Sequence, residues 1–186
     1  SLFRVFTDLH LEMHRQSVPE LPSLRSRLAE RIGRITSADF RDDLRELVEC
    51  AKATALAMLE KLPEDDKLCH GDFHPDNIIM SPRGPIIIDW SDATRGNPAA
   101  DVARTRLLIS IGTPVKGRIS GWLAKLARKR ALSLYLKLYL ERSAIPLESI
   151  DAWVLPVALT RITEDIPGER DQLITLIKNH LEQSKK

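Results

Sequence analysis

The feature that most constrains the fold is a short stretch of strand-forming sequence, residues 67–90, set between long helical patterns. Two apolar runs, residues 78–80 (IIM) and 86–88 (III), flank the sequence SPRGP, which is rich in turn-forming residues. This pattern predicts a β-hairpin, and residues 68–69 add a further short strand. Strands and helices do not alternate along the chain, so the sequence argues against a βαβ sheet. It predicts a mostly α fold with a small β-hairpin insertion (α+β).

Helices are predicted on both sides of the hairpin, because apolar residues recur there at helical spacing. The expected segments are residues 2–14, 23–35, 39–62 (with Ser37 or Asp39 as the cap), 99–110, 120–143, 147–163 and 168–182. A chain of 186 residues, 43% of them apolar, is long enough to bury one core. We therefore expect a single domain over residues 1–186.

The apolar runs and the cysteines favour a cytoplasmic protein. The longest apolar runs, such as residues 86–88, fall far short of the roughly 20 residues that span a bilayer. The first residues also lack the apolar core of a signal peptide, so membrane insertion is not expected. Cys50 and Cys69 are the only cysteines, which predicts reduced thiols rather than a disulfide framework.

Polar residues with a defined spacing lie before and after the predicted hairpin. Residues 70–77 read HGDFHPDN, and Asp89 follows Asn77 by twelve residues, at the end of the second apolar run. Phosphoryl transfer to a hydroxyl needs a carboxylate that orients or accepts the hydroxyl proton. It also needs oxygen ligands that hold Mg²⁺ against the phosphates. The spacing predicts Asp72 as the catalytic residue, Asn77 and Asp89 as metal ligands, and His70 as an organiser of the loop.

A further motif follows the hairpin. Residues 96–103 read GNPAADVA, and Asp101 falls in the first turn of a predicted helix, where its carboxylate can accept backbone N–H groups and brace the loop 70–77. Taken together, HGDFHPDN, IDW (residues 88–90) and GNPAADVA resemble the aminoglycoside phosphotransferase/choline kinase family. The resemblance is strong over about residues 68–105.

This resemblance implies the C-terminal lobe of a protein-kinase-like fold. It implies ATP- and Mg²⁺-dependent transfer of a γ-phosphoryl group to a hydroxyl of a small molecule. Asp72 would be the catalytic Asp of the loop 70–77, and Asn77 and Asp89 would bind the metal and, through it, the nucleotide. Asp101 would be the structural Asp of the following helix. Asn97 departs from the family pattern, which often has Asp there, and we expect the change to be tolerated.

The family's N-terminal nucleotide-binding lobe, with its sheet, phosphate loop and Lys, has no counterpart before residue 68. The sequence therefore resembles a C-terminal lobe alone, and two functions stay open. One is the phosphotransferase, and the other is a non-catalytic, pseudokinase-like binding module. The expected partners are a hydroxylated small-molecule acceptor and the missing N-terminal lobe. The face between the lobes is also a candidate for self-association.

Two histidine pairs have the four-residue spacing of some zinc sites. For His70 and His74, Pro75 and the turn character of the sequence argue against a shared helical face. His10 and His14 do share the face of a predicted helix, but Glu12 is the only acidic residue beside them. We interpret this second pair as surface or packing residues.

Charge is distributed unevenly along the chain. Residues 113–146 carry eight basic residues and one acidic residue, a net charge of +7 in a chain whose net charge is +2. We interpret this segment as a solvent-facing helix surface, with an anionic partner as the alternative; few aromatic residues interleave, so nucleic acid is not favoured. An acidic run (Glu164, Asp165, Glu169 and Asp171) either lines a pocket for a cationic acceptor or forms a junction between helices. The acceptor stays open among aminoglycosides, amino alcohols and sugars.

Overall fold

The computed structural model describes residues 2–111 and 121–183. Within these ranges the chain forms eight α-helices and four short strands, in agreement with the predicted mostly α fold. The helices are α1 (Leu2–Met13), α2 (Leu24–Gly33), α3 (Asp42–Lys61), α4 (Pro98–Ile111), α5 (Gly121–Leu140), α6 (Leu147–Asp151), α7 (Val154–Ile162) and α8 (Arg170–Gln183). The strands are β1 (Lys67–Cys69), β2 (Ile78–Ser81), β3 (Gly84–Ile87) and β4 (Thr94–Gly96).

Helix α3 begins later than its capping signals predict. Ser37–Asp39 form a single 3₁₀ turn, and Phe40 then adopts an extended backbone before α3 starts at Asp42. The Phe40 side chain is buried. The chain therefore leaves helical geometry at the point where this apolar ring enters the core.

The helix predicted over residues 147–163 is two helices. α6 ends at Asp151 and α7 begins at Val154, with the buried Trp153 between them. Pro156 lies in the first turn of α7, where its missing N–H leaves no helical hydrogen bond unmade. A continuous helix would set the proline ring against the carbonyl of residue 152, so the break precedes the proline.

The strands form two antiparallel pairs. In the predicted hairpin, Ile78 lies opposite Ile87, and Ile79, Met80 and Ile86 are half exposed. The second pair joins β1 to β4, which the sequence did not predict because a three-residue strand is too short to show an alternating pattern. This pair ties the start of the HGDFHPDN loop to the segment that leads into α4.

Helix α4 is the centre of the fold. Its first eight residues, 98–105, are all buried, and it packs against α5, α6, α7 and β1. The Oδ1 atom of Asn97 accepts a hydrogen bond from the Ala99 amide at 2.9 Å, and Pro98 occupies the first helical position. This capping role needs only an acceptor oxygen, which Asn provides as well as Asp. The same cap sets Asp101 at the buried start of the helix.

The surface features that the sequence indicated are partly described. Lys129, Arg130 and Lys137 are exposed on α5, whereas residues 112–120 of the basic segment lie outside the described residues. Cys50 is exposed and Cys69 is buried, and both are free thiols. Among the described helices, none is long and apolar enough to cross a membrane.

Candidate active site

The loop 70–77 connects β1 to β2 and makes a sharp turn at its second residue. Gly71 has a φ of 80°, in the left-handed region that favours glycine, and residues Pro75–Asn77 form a 3₁₀ turn. Phe73 is fully buried between these two turns. The buried ring and the two turns leave Asp72 partly exposed, with 27% of its side chain accessible.

Three polar side chains surround the Asp72 carboxylate. His74 Nε2 lies 3.3 Å from Oδ2, Arg104 Nη2 lies 3.5 Å from Oδ1, and the Asn77 amide donates to Oδ2 at 3.2 Å. Burial raises the pKa of the Asp72 carboxyl, but the hydrogen bond with His74 and the positive charge of Arg104 lower it by more. The net pKa is below its ordinary value, so Asp72 is a carboxylate at neutral pH.

Asn77 joins the loop to the base of the hairpin. Its Nδ2 also donates to the Asp72 carbonyl at 2.9 Å, and its own carbonyl accepts the Ile88 amide at 3.0 Å. Asn77 therefore lies across the hairpin from Ile88, the residue just before Asp89. Asp89 has a φ of 59°, a left-handed conformation that Asp tolerates better than most residues, and it accepts a hydrogen bond from Ser91 at 2.8 Å.

The donor atoms of Asn77 and Asp89 fit Mg²⁺, which prefers carboxylate and carbonyl oxygens and usually keeps several waters. The Asn77 amide nitrogen donates to Asp72, so its Oδ1 is the side-chain atom that could bind an ion. The Asp89 side chain is exposed at the end of the hairpin. These two residues would hold the ion with an amide oxygen and a carboxylate.

His70 fastens the loop to the strand that leads to Asp89. Its Nε2 lies 3.0 Å from the Ile88 carbonyl, which can only accept, so Nε2 carries the proton and donates. Nδ1 is then the acceptor for the Asp72 amide, at 3.3 Å. The His70 ring also packs against Trp90, with 4.7 Å between ring centroids. These contacts connect the backbone of Asp72 with that of Ile88.

Asp101 lies directly beneath the loop. Its Oδ2 accepts the His70 amide and its Oδ1 accepts the Gly71 amide, both at 2.8 Å. Burial raises the pKa of the Asp101 carboxyl, but hydrogen bonds from His10 and His14 hold the net pKa well below its ordinary value. An ionised carboxylate at the start of α4 thus accepts hydrogen bonds from the two successive amides just before Asp72.

The comparison with known families concerns the chain that carries this site. The model of the phosphotransferase enzyme family (APH) matches residues 2–134, which include the loop, the hairpin and Asp101. The chain belongs to this family. Its mostly helical architecture with two strand pairs agrees with the kinase-like fold of the phosphotransferases.

A relative of known sequence matches a short part of the chain. Acyl-CoA dehydrogenase family member 11 from Gallus gallus is 48% identical to the chain over 46 residues. The aligned residues cover 22% of this chain and 6% of that protein. The chain therefore spans only a small part of the length of this relative.

Two groups of residues that support the loop 70–77 were missed by the sequence reasoning. Arg104, one helical turn after Asp101, is buried, donates to the Gly71 carbonyl at 3.1 Å and pairs with Glu164 at 2.8 Å. Of the two interpretations of His10 and His14, the surface one is wrong and the packing one holds, because both are buried and bonded to Asp101. Their acidic partner is remote in sequence and close only in the fold. The signal available in the sequence was the matching four-residue spacing of Tyr135 and Tyr139.

The acidic run near the C-terminus is largely paired with arginine. Glu164 contacts both Arg104 and Arg161, and Glu169 is buried and accepts two hydrogen bonds from Arg161, at 2.7 and 2.9 Å. Asp165 is exposed and lies 3.6 Å from Arg170. These contacts favour the interpretation of the run as a junction that connects α7, α8 and α4.

Proposed function

We propose that this chain transfers the γ-phosphoryl group of ATP to a hydroxyl group of a small molecule, with Mg²⁺ held by Asn77 and Asp89. The observation that carries the proposal is the environment of Asp72. Its carboxylate is ionised, partly exposed and held by His74, Arg104 and Asn77. A carboxylate with these properties can receive the proton of an incoming hydroxyl.

In the proposed reaction, the acceptor oxygen forms a bond to the γ-phosphorus as the bond from that phosphorus to its bridging oxygen breaks. ADP leaves, and the acceptor's hydroxyl proton passes to Asp72. Mg²⁺, when bound, neutralises the negative charge that develops on the phosphate oxygens. The chain's own contribution is to orient Asp72: Asn77 holds both its carboxylate and its carbonyl, and Asp101 holds the two preceding amides.

The charges near Asp72 bear on the class of acceptor. A site for a polycation such as an aminoglycoside would need carboxylates free to receive ammonium groups. Glu164 and Glu169 are instead paired with Arg104 and Arg161. This pairing favours a neutral or singly charged acceptor, such as a sugar or an amino alcohol. We place the reaction in the cytoplasm, where ATP is available and Cys50 and Cys69 stay reduced.

The test compares Asp72→Asn with a matched control, Asp76→Asn, in the same loop. Asp76 is 81% exposed, and its side chain lies 3.7 Å from His74. ADP release with ATP, Mg²⁺ and a panel of sugars and amino alcohols is measured for this chain and for any longer natural protein that contains it. Asp72→Asn should lower turnover by about 10²–10⁴-fold with unchanged ATP affinity, whereas Asp76→Asn should stay close to wild type.

Two results would count against the proposal. Undiminished turnover in Asp72→Asn would remove Asp72 from the chemistry. No detectable binding of Mg²⁺ and ATP by calorimetry, in the chain and in the longer protein, would favour the non-catalytic binding module instead.

A further inference from the structure

The helices α1 and α5 are far apart in sequence, and a buried polar network connects both of them to Asp101, beneath the loop 70–77. His10 and His14 come from α1, and Tyr135 and Tyr139 from α5; all four are at most 7% exposed. Each pair is separated by four residues, so each presents both side chains on one face of its helix. Asp101, fully buried at the start of α4, lies where the two faces meet.

The contacts form two parallel chains of hydrogen bonds that end on the same carboxylate. The Tyr135 hydroxyl lies 2.8 Å from His10 Nδ1, and the Tyr139 hydroxyl lies 2.7 Å from His14 Nδ1. The two Nε2 atoms lie 3.1 and 3.2 Å from Asp101 Oδ2. Each of these four side-chain hydrogen bonds therefore joins residues that are 87 to 125 positions apart in sequence.

The direction of every bond follows from Asp101. An ionised carboxylate can only accept, so both histidines carry the proton on Nε2 and donate it to Asp101. Nδ1 of each neutral ring is then an acceptor, and the tyrosine hydroxyls donate to it. With the amides of His70 and Gly71, Asp101 receives four N–H bonds, about as many as a carboxylate can accept.

His10, His14 and Asp101 also have the composition of a metal site, since their ligand atoms lie within 4.8 Å of one another. A metal ion would require a lone pair on Nε2, and in the neutral tautomer of both rings Nε2 carries the proton instead. The hydroxyls on Nδ1 and the amides on Asp101 already satisfy the remaining atoms. The arrangement is therefore complete as a hydrogen-bond network.

We propose that His10 and His14 are positioning residues for the loop 70–77. The two imidazole donors on Oδ2 orient the Asp101 carboxylate, so that Oδ2 also receives the His70 amide and Oδ1 faces the Gly71 amide. Asp72 is the next residue, so α1 and α5 determine its position through Asp101. Packing alone would not require polar rings in a fully buried place, because burying them without partners is unfavourable. The proposal rests on the proposed function only in calling this loop catalytic.

The main experiment is amide hydrogen exchange by NMR on the chain, with His14→Leu and His14→Gln. Leucine removes the donor to Asp101, whereas the glutamine amide can still donate to it. The Leu173 amide of α8, which donates to the Glu169 carbonyl at 3.0 Å, is the internal reference. We expect His14→Leu to speed exchange at His70 and Gly71 by about tenfold or more relative to Leu173, and His14→Gln to restore part of the protection.

A milder variant keeps the test informative if leucine prevents folding. Tyr139→Phe removes one hydroxyl and leaves His14 Nδ1 without its donor, so exchange at His70 and Gly71 should still rise relative to Leu173. Equal acceleration at all three amides in these variants would mean that the network only stabilises the fold, which would overturn the proposal.

Two further measurements examine the network itself. Nitrogen NMR of the imidazoles should find His10 and His14 in the Nε2–H form at neutral pH, and the Nδ1–H form in either would overturn the bond directions. Zinc that stays bound through dialysis and is lost in His14→Gln would show a metal site in place of the network. None of these measurements depends on turnover, so a failure of the proposed function is distinguishable from a failure of this proposal.

Discussion

Replacing Gly71 with alanine tests whether the loop is held as closely as its contacts indicate. A Cβ atom at this position would lie 2.7 Å from the Asp92 carbonyl oxygen and 3.0 Å from the Asp92 Cβ. The first contact involves backbone, which cannot rotate away. The φ of 80° adds the cost of a left-handed conformation for a residue with a side chain.

The expected loss has two parts. The left-handed backbone costs about 1–2 kcal/mol for alanine, and forcing extra volume into a packed region costs about 1–3 kcal/mol more. We therefore expect Gly71→Ala to lower the free energy of unfolding by about 2–5 kcal/mol. Each kcal/mol should lower Tm by about 2–4 °C in a domain of this size.

Gly168→Ala is the matched control, because Gly168 has a φ of 84° and nothing within 4 Å of the added Cβ. It should show only the backbone part, about 1–2 kcal/mol. Urea unfolding of both variants and the parent measures the difference, which isolates the contact with Asp92. Equal losses in the two variants would refute the close packing of Gly71 against Asp92.

Two further predictions concern acid stability and metal binding. Burial lowers the pKa of His10 from 6.5 to about 3. Below about pH 6.5 the unfolded chain therefore binds a proton that the folded chain does not. Stability should fall by up to about 1.4 kcal/mol per pH unit towards pH 3, in urea titrations over this range. His10→Gln should have a shallower slope, and an unchanged slope would contradict the buried neutral ring. Asp89→Asn should weaken Mg²⁺-dependent ATP binding by about 10–100-fold in calorimetry, while Asp76→Asn should leave it unchanged. Equal metal dependence in both variants would remove Asp89 from the ligand set.

Much of the fold and part of the site could be predicted from local pattern. The hairpin was predictable because SPRGP separates two apolar runs, and α4 because a cap, a proline and small apolar residues follow one another. The loop motif suggested Asp72, Asn77 and Asp89 as neighbours. Its spacing sets Asp72 and Asn77 on one tight loop, and the hairpin that follows returns the chain to Asn77 at Asp89. The contacts between Asn77 and Asp72 and between Asn77 and Ile88 agree with that expectation. The chemical roles of these residues stay predictions until they are measured.

Other features depended on contacts that no local pattern encodes. β4 forms because its three residues pair with β1. The helix predicted over residues 147–163 divides at residues 152–153, just before the turn that contains Pro156. Arg104 reaches Gly71 and Glu164 only because α4 packs against α7, and no local pattern in the sequence indicates these contacts.

The sequence by itself determined the residues of the loop, the hairpin that follows it and the helix that opens at Asn97, because these depend on spacings of a few residues along the chain. Only the tertiary structure decided the environment of Asp101. His10 and Tyr135 are 125 residues apart, so no local pattern indicates the hydrogen bond between them. Their polar atoms must be satisfied once they are buried, and the partners that satisfy them are chosen by helix packing. The sequence contains those residues, but only the folded chain brings them to the same carboxylate.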